Sequence, residues 1–300
     1  MRKILVSRMI KGRGVVLLTN SNPALDPVFL QFGPFTVYWY GIIIITGVII
    51  GLFLATKEAN RFGLKKDLII DLMVFAVPIA IVFARVYYVV FEWEQYANKP
   101  WWEVFAVWNG GIAIHGALIG SVLTAIVYTH IKKVSFWQIA DIVAPSLILG
   151  QAIGRWGNFM NQEAHGGVIS EAAYNNFHQY LPNFIMNQMT IDGVMYHPTF
   201  LYESFWNLVI FILLLIFRKY NPLRGEVFLS YIMLYSVGRF MIEGMRMDSL
   251  YVGELRVAQF ISILLIVGAM ALIVYRRKVV KEKYNDKNVT NKHKKIYKRF

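Results

Sequence analysis

The chain contains, at residues 36–55, the stretch TVYWYGIIIITGVIIGLFLA, which carries no charged side chain. A helix needs about 20 predominantly apolar residues to cross the hydrocarbon core of a bilayer. Residues 257–275, VAQFISILLIVGAMALIVY, are uncharged in the same way. Both stretches therefore predict membrane-spanning helices.

The composition agrees with a membrane protein. The 300 residues are 57% hydrophobic and 16% charged, with a mean hydropathy of +0.47, which is too apolar for a soluble globular domain and excludes disorder, collagen and coiled coil. The chain has no cysteine. Disulfides, thiolate metal sites and a cysteine nucleophile are thereby excluded, so that any thiol in its chemistry must come from a partner.

The sequence predicts an all-α integral membrane protein with seven transmembrane helices. The predicted spans are Thr36–Ala55, Leu68–Phe91, Gly111–Ile131, Val134–Gly154, Thr199–Phe217, Val227–Gly244 and Val257–Tyr275. GxxxG spacings at Gly47/Gly51, Gly116/Gly120 and Gly150/Gly154 predict close contacts between helices, because small residues let helix backbones approach each other.

Loop charge predicts the orientation. With the C-terminus in the cytoplasm, the inner segments hold 20 of the 31 Lys and Arg residues and the outer segments hold nine. The N-terminus is then outside, and residues 155–198 form a small external head between helices four and five. Residues 23–275 make up the seven-helix membrane domain. Residues 1–22, which contain five of the nine outer basic residues, conflict with this orientation and are expected to be an unstructured leader or the result of an upstream start codon.

The net charge of +13 is concentrated at one end. Eleven of the 31 basic residues lie in residues 276–300, which we interpret as a basic cytoplasmic tail that touches anionic lipid head groups. Nucleic acid is not expected as a partner, because its binding normally involves stacking aromatic residues or a recognition fold.

Polar residues cluster at one depth, near the outer ends of the predicted helices. They are Tyr40, Arg85, His115, Arg155, Asn158, Asn161, Glu203, Tyr235, Arg239 and Glu243. Because charges inside a bilayer are costly, this cluster predicts a polar cavity open to the outer leaflet. Arginine binds phosphate through two parallel hydrogen bonds, so that an anionic phospholipid head group is the expected ligand.

Each residue also has a simpler interpretation. Arg239 and Glu243 are spaced as an i,i+4 ion pair, and Arg85 is long enough to extend its charge to the membrane surface. His115 is compatible with a structural role, and Tyr40 with a place in the interfacial aromatic belt.

Several motifs together indicate a family. They are Trp39-Tyr40-Gly41, Ala84-Arg85-Val86-Tyr87, the stretch 110–116 (GGIAIHG), Asp141-Ile142-Val143-Ala144-Pro145, the stretch 154–166 (GRWGNFMNQEAHG), the stretch 197–203 (HPTFLYE) and the stretch 235–243 (YSVGRFMIE). From about Phe32 to Tyr275 the chain resembles the prolipoprotein diacylglyceryl transferases of bacterial inner membranes. Ala117, where the family commonly has glycine, is a small departure.

The resemblance implies transfer of the diacylglyceryl group of phosphatidylglycerol to the lipobox cysteine of a prolipoprotein signal peptide, with release of glycerol phosphate. It implies a multi-pass protein of the bacterial cytoplasmic membrane whose site faces the outer leaflet, with no cofactor and no metal. The family's important residues correspond to Tyr40, His115, Arg155, Asn158, Gly166, Glu203, Arg239 and Glu243.

We assign catalytic roles to His115, Tyr40, Arg239 and Tyr235. We assign substrate binding to Arg155, Asn158, Gly166, Glu203, Glu243, Arg85 and Asn161. Arg155 and Arg239 are expected to bind phosphate, and His115 to take the thiol proton. Two alternatives remain open: Tyr40 or Tyr235 orients the thiol, or His115 only hydrogen-bonds the lipid.

Other classes of membrane protein fit less well. The last span has no lysine for a retinal Schiff base, and neither a repeat nor a polar path across the membrane supports a transporter. The motifs G-x-S-x-G and H-E-x-x-H of membrane proteases are absent. A structural scaffold remains as the alternative to an enzyme, and lipid turnover distinguishes the two.

Overall fold

The structure, a computed structural model, describes residues 24–220, 222–247 and 249–279. These residues group into two compact units. The first unit comprises residues 24–51 and 144–279, and the second unit comprises residues 52–143. The predictions for residues 1–22 and for the tail from residue 280 onward lie outside the described residues.

The described part of the chain is predominantly helical. Its long helices are α1 (Trp39–Arg61), α2 (Lys66–Phe91), α3 (Ile114–Ile131), α4 (Phe136–Met160), α7 (Thr199–Phe217), α8 (Glu226–Glu243) and α9 (Val257–Val279), and the short ones are α5 (Glu171–Asn176) and α6 (Asn183–Gln188). Three antiparallel two-stranded pairs accompany them: β1 (Val28–Phe32) with β2 (Phe35–Tyr38), β3 (Thr190–Ile191) with β4 (Val194–Met195), and β5 (Tyr251–Val252) with β6 (Leu255–Arg256).

Every predicted span corresponds to one of the seven long helices. Six of these are long and apolar enough to cross a membrane, namely all except α8. Helix α8 has 18 residues and contains Glu226, Arg239 and Glu243. The structure therefore supports a helical protein with six candidate spans, and the seventh remains a prediction.

Several helix boundaries differ from those that hydropathy predicts, and three of the differences matter most here. Helix α1 begins at Trp39 rather than Thr36, because Thr36 belongs to β2 and pairs with β1. Helix α4 continues past Gly154 to Met160, so that residues 155–160 are helical rather than part of the head. Helix α9 includes residues 276–279, the start of the predicted tail, since basic side chains are favourable in the last turn of a helix.

The core of the first unit lies between α4, α7 and α8. Its buried residues are Ala144, Ile148, Ile210, Leu214, Val227 and Tyr231. Gly47 and Gly51 of α1 contact α4, since a Cβ atom at either position would lie 3.4 Å from a backbone oxygen of that helix. This confirms that these glycines mediate a helix contact.

In the second unit, α3 packs against α2 through Gly116 and Gly120. A Cβ atom at Gly120 would lie 2.8 Å from Phe83 Cβ, and one at Gly116 would collide with the backbone of Phe83 and Ala84. Large apolar side chains on the other faces of these helices, such as Val74 of α2, are exposed. An exposed apolar helix face fits a lipid environment.

Residues 161–198 form a small folded segment between α4 and α7, with α5, α6 and the β3–β4 pair. Ile169, Met186 and Met195 form its own buried core. An isolated bridge pairs Gly166 with Arg246, which follows α8. The head is therefore tied to the end of α8.

Candidate active site

Three arginines of the first unit converge on one buried glutamate. Glu203 lies in the second turn of α7, with a side chain 6% exposed. Its Oε1 is 3.2 Å from Arg246 Nη1 and 3.6 Å from Arg239 Nη1, while its Oε2 forms an ion pair with Arg155 Nη2. The ends of α4, α7 and α8 therefore meet at one carboxylate.

A second glutamate completes the cluster. Glu243, the last residue of α8, has a side chain only 2% exposed, and its Oε2 lies 2.6 Å from Arg239 Nη2. The i,i+4 ion pair that the sequence indicates is confirmed. It is not the only contact of Arg239, however, because the same guanidinium also reaches Glu203.

The backbone carbonyl of Glu243 has its own basic partner. Arg256 of β6 donates from Nη1 to this carbonyl oxygen and from Nε to the Tyr251 hydroxyl, at 2.9 Å. A cation at the C-terminal end of a helix is favourable, because the carbonyl groups there carry partial negative charge. Arg256 thus connects the end of α8 to the residues before α9.

The last turns of α4 present the polar side chains of the 154–166 motif. Arg155 Nη1 is 3.4 Å from Asn158 Oδ1, and Asn158 Nδ2 donates to Glu163 Oε1 at 2.8 Å. Asn161 is exposed just beyond the helix. Asn158 therefore links Arg155 to the first residues of the head.

Both predicted tyrosines border this region. Tyr40 is 38% exposed and packs against α4, since a Cβ atom at Gly157 would lie 2.7 Å from its ring. This contact goes beyond a role in an aromatic belt. Tyr235 is partly buried one turn before Arg239 on α8, with its ring centroid 6.1 Å from that of Tyr231.

Gly166 occupies a position where the backbone must approach closely. A Cβ atom there would lie 2.8 Å from His197 Cβ, 3.0 Å from Thr199 Cγ2 and 3.1 Å from Met245 O. Its N–H donates to His197 O, and the next N–H, of Gly167, donates to Met245 O, both at 2.9 Å. Gly166 therefore joins the head to the segment that carries Arg246, which is a structural reason for its place in the motif.

A histidine pair supports the start of α7. His178 is 3% exposed; its Nδ1 lies 2.8 Å from Ala173 O and its Nε2 lies 2.8 Å from the Tyr202 hydroxyl. Because a carbonyl only accepts, Nδ1 carries a hydrogen and donates to Ala173. Burial, and then the neighbouring His178, lower the pKa of His197 from its usual value. These contacts hold Tyr202, the neighbour of Glu203.

Arg85, in the second unit, contacts backbone carbonyls. It is 4% exposed, and its guanidinium donates to Glu103 O, Val104 O, Gly110 O and Gly111 O at 2.6 to 2.8 Å. The side chain therefore holds the loop between α2 and α3. This arrangement favours a structural role, and lipid binding by Arg85 stays a prediction.

His115, also in the second unit, lies in the first turn of α3 and is exposed. Its ring centroid is 5.8 Å from that of Tyr87. An exposed imidazole is open to a substrate, but its role as base or as lipid ligand stays a prediction.

An apolar groove of about 330 Å³ begins beside the arginine cluster of the first unit. Its lining residues are Trp39, Ile42, Ile43 and Thr46 of α1, Ala152, Ile153 and Trp156 of α4, and Ser204 and Leu208 of α7. Two lining residues are sequence neighbours of the cluster, since Trp156 follows Arg155 and Ser204 follows Glu203. The other lining residues of α4 and α7 lie about one helical turn farther from the cluster along their helices. The groove therefore runs from the level of the site into the span.

The charges of the cluster are suited to a phosphodiester. Three guanidinium groups, those of Arg155, Arg239 and Arg246, contact the carboxylate of Glu203, and Arg239 also contacts that of Glu243. The side chains of Arg155 and Arg239 are 21% and 23% exposed, so that each keeps a face for an anion. Within the described residues, no group of three or more His, Cys, Asp or Glu side chains is arranged to hold a metal ion.

Sequence reasoning missed Arg246 and Arg256. Both follow α8, and the loop-charge analysis treated them only as outer basic residues. Arg246 had a usable signal, since it lies three residues after Glu243. Arg256 had no such signal, because it reaches the end of α8 only through the turn between β5 and β6.

The apolar helices define a helical membrane protein, and its arginine–glutamate cluster is a candidate site for an anionic group. The family model for prolipoprotein diacylglyceryl transferase matches residues 27–275. The chain belongs to the prolipoprotein diacylglyceryl transferase family and is a transferase, as the sequence motifs predict.

Close relatives carry a more detailed name, phosphatidylglycerol–prolipoprotein diacylglyceryl transferase. The chain is 67% identical over 270 residues to such a protein of Oceanobacillus iheyensis, covering 90% of this chain and 94% of the relative. It is 58% identical to one of Bacillus cereus and 57% identical to one of Bacillus anthracis, in each case over 263 residues that cover 88% of this chain and 96% of the relative.

Proposed function

We propose that this protein transfers the diacylglyceryl group of phosphatidylglycerol to the lipobox cysteine thiol of a prolipoprotein, the first step of lipoprotein maturation. The cysteine thiolate attacks the glycerol carbon next to the phosphate, a thioether bond forms, and the carbon–oxygen bond to phosphate breaks. Glycerol phosphate leaves with the electron pair of that bond. The chain has no cysteine, which agrees with a nucleophile supplied by the substrate.

The convergence of three arginines on Glu203 carries this proposal. In the reaction a phosphodiester with one negative charge becomes a phosphomonoester, which gains a second charge. Guanidinium groups fixed before the lipid arrives stabilise that developing charge without having to reorganise. Arg155 and Arg239 bind the phosphate, and Glu203 and Glu243 hold them in position.

The remaining predicted residues take supporting roles. Asn158 and Asn161 lie at the end of α4, where amide groups can donate to the lipid head group, and Tyr40 or Tyr235 orients the thiol. His115 takes the thiol proton or hydrogen-bonds the lipid; this assignment rests on the family resemblance.

We propose that the apolar groove beside Trp156 takes one acyl chain of the lipid. Leu208→Trp should narrow the groove and raise KM for long-chain phosphatidylglycerol more than for a short-chain analogue. Leu213→Trp, at an exposed position of the same helix, is the control. Equal effects of the two substitutions at both chain lengths would exclude the groove as an acyl site.

We also propose that α8 crosses the membrane as the seventh span, with the C-terminus in the cytoplasm and the 161–198 segment outside. The support is the excess of Lys and Arg in the segments assigned to the inside. The site then faces the outer leaflet of the cytoplasmic membrane. Protease added to intact spheroplasts should leave a C-terminal epitope uncut, and rapid loss of the epitope would contradict the orientation.

The activity is tested with purified full-length protein in liposomes of defined composition. Phosphatidylglycerol and a lipobox peptide should yield glycerol phosphate and a thioether-linked peptide in equal amounts. A peptide with serine in place of cysteine is the control and should give neither product. Glycerol phosphate release that is independent of the peptide would indicate a phospholipase instead.

A further inference from the structure

The hairpin before α1 ends in an open edge strand. Its residues 27–38, PVFLQFGPFTVY, carry no charged side chain, and β1 and β2 pair only with each other among the described strands. Phe32 and Phe35, which close the hairpin, are 79% and 75% exposed. A two-stranded hairpin is only marginally stable by itself in water, and a third strand stabilises it. The hairpin therefore has the composition and the geometry to accept a strand from another chain.

The register of the hairpin shows which backbone groups of β2 remain open. Phe35 and Val37 direct their N–H and C=O groups towards β1, because a two-residue turn closes on a hydrogen-bonded pair and the bonding direction alternates along the strand. Trp39 N continues this series by donating at 2.9 Å to the residue before β1. Thr36 and Tyr38 alternate with these residues. Their backbone groups therefore point to the free edge of β2.

The two edges of the hairpin differ in how well they are protected. On β1 the register shifts between Val28 and Leu30, and Val28 N already donates to Asp26 Oδ1 at 2.8 Å. Bulges and charged side chains are devices that keep an edge strand from pairing with another chain. The residues of β2, from Phe35 to Tyr38, include no charge and no proline. The edge of β2 is therefore the one suited to pairing.

Two contacts hold the hairpin in a fixed position within the first unit. Leu25 N donates to Gln188 Oε1 at 2.7 Å, which ties the chain before β1 to the head. The ring of Phe29 packs edge-on against that of Trp39, with the centroids 4.6 Å apart. The edge of β2 is therefore presented by a supported hairpin, so that a binding peptide does not have to order it first.

The strand β2 leads directly to the candidate active site. Tyr38, its last residue, comes two positions before Tyr40, whose ring lies against Gly157 of α4. Gly157 is flanked on that helix by Arg155 and Asn158. An extended chain advances about 3.3 Å per residue. A peptide beside β2 therefore reaches the level of Tyr40 within about two residues of the end of the strand.

Neither lipid nor water alone suits the edge of β2. The strand ends where α1, a candidate membrane span, begins, so that the hairpin lies at the membrane surface. Unpaired backbone N–H and C=O groups are costly in hydrocarbon, and open sheet edges do not occur there. Water satisfies these groups but leaves Phe32 and Phe35 exposed to it, which is unfavourable. An apolar peptide in an extended conformation supplies both hydrogen bonds and apolar contacts.

We propose that the free edge of β2 binds the segment of the prolipoprotein that precedes the lipobox cysteine, as an added β-strand. This inference rests on the proposed function and names the docking site of its peptide substrate. A signal peptide is apolar and ends in small residues, which matches an uncharged edge. Backbone hydrogen bonds to Thr36 and Tyr38 give affinity without demanding particular side chains. The added strand runs parallel to β2, so that the cysteine following it arrives at Tyr40.

The test measures binding separately from transfer. Full-length protein in neutral-detergent micelles is titrated with a fluorescent lipobox peptide that has serine in place of cysteine. A series of such peptides carries one N-methyl group each, at successive residues before the serine. Only alternate residues of a paired strand donate to its neighbour. The affinity should therefore fall about two- to tenfold at every second position, which is the usual effect of one hydrogen bond, and stay parental at the positions between.

Two proline substitutions identify the edge. Thr36→Pro removes one N–H group from the free edge of β2, and Gln31→Pro removes the corresponding group of its cross-strand partner on the edge of β1. Proline is tolerated on edge strands where the N–H group points away from the sheet. Thr36→Pro should weaken binding of the unmethylated peptide about two- to tenfold. Gln31→Pro, the matched control, should bind as the parent does, and both variants should keep the parental KM for phosphatidylglycerol.

Three results would overturn the proposal. The first is equal affinity for all N-methylated peptides, which is decided on the parent protein even if a proline variant does not fold. The second is an equal loss of affinity in Thr36→Pro and Gln31→Pro. The third is a dimer that Thr36→Pro dissociates without a change in peptide affinity, because the edge would then pair with a second copy of the chain. A failure of transfer in the liposome assay contradicts the proposed function separately, since the serine peptide reports binding alone.

Discussion

Glu203 offers the sharpest test of the arginine cluster, because three guanidinium groups depend on it. Glu203→Gln keeps the shape of the side chain and one carbonyl oxygen but removes the charge that Arg155, Arg239 and Arg246 share. Loss of one partner of a buried ion pair commonly costs about 3 to 5 kcal/mol. Here the cost should be smaller, because Arg155 and Arg239 are each about one-fifth exposed and the phosphate itself can pair with them.

A loss of about 1.5 to 3 kcal/mol, the usual contribution of a hydrogen bond to a charged group, is therefore expected. If this loss falls on the orientation of the arginines in the transition state, kcat decreases roughly ten- to hundredfold. The substitution also removes one negative charge from the cluster. We therefore expect KM for phosphatidylglycerol to stay unchanged or to decrease.

The assay measures glycerol phosphate release at saturating and at low concentrations of phosphatidylglycerol, in liposomes whose other lipids carry no net charge. Glu226→Gln is the matched control, because Glu226 is also buried in the first unit and is paired with an arginine, at the other end of α8. It should lower the thermal unfolding midpoint without a selective loss of kcat. If Glu203→Gln retained the parental kcat, or if Glu226→Gln lost as much activity, the proposed role of Glu203 would be refuted.

Three further predictions concern individual residues. Arg155→Lys and Arg239→Lys should each lower kcat/KM for phosphatidylglycerol about ten- to hundredfold despite keeping the charge, because an ammonium group lacks the forked contact; parental activity in both would remove the phosphate assignment. If His115 is the base, His115→Gln should lower the transfer rate roughly 10²- to 10⁴-fold, and the defect should shrink as pH rises towards the thiol pKa of about 8.5. A ratio of variant to parental transfer rate that is constant from pH 6.5 to 9, together with weaker lipid binding, would instead favour the lipid-ligand role. Gly166→Ala should lower the thermal unfolding midpoint because its Cβ has no room, whereas Gly167→Ala, with nothing within 4 Å of the added Cβ, should leave the midpoint unchanged; equal midpoints would contradict this packing argument.

The helices were predictable because hydropathy scales measure how favourably a side chain moves from water into an apolar phase. The same free energy decides which segments of a chain cross a membrane. Their ends were less predictable, since a helix ends according to its hydrogen bonds and caps and not where its apolar residues stop. Helix α4 therefore continues through Arg155 and Asn158, which hydropathy excludes from the span.

The candidate site was partly predictable for a related reason. Helical spacing placed Arg239 and Glu243 on one face, and loop charge suggested a common level for Arg155 and Glu203. Sequence spacing carries no information on partners across a turn, which is why Arg256 was missed. It also cannot distinguish a guanidinium that binds phosphate from one that binds carbonyl oxygens, as Arg85 does.

In the proposed mechanism, the two carboxylates keep the site ready for a lipid that is not yet bound. Three guanidinium groups this close to a membrane interior would repel one another and would be poorly solvated without counter-charges. Glu203 and Glu243 supply these charges from positions that are almost fully buried, while Arg155 and Arg239 keep exposed faces. In the proposed reaction, an arriving phosphodiester therefore meets donors that are already oriented. In the proposed reaction, the same guanidinium groups then stabilise the second charge that develops on the leaving phosphate, without having to reorganise.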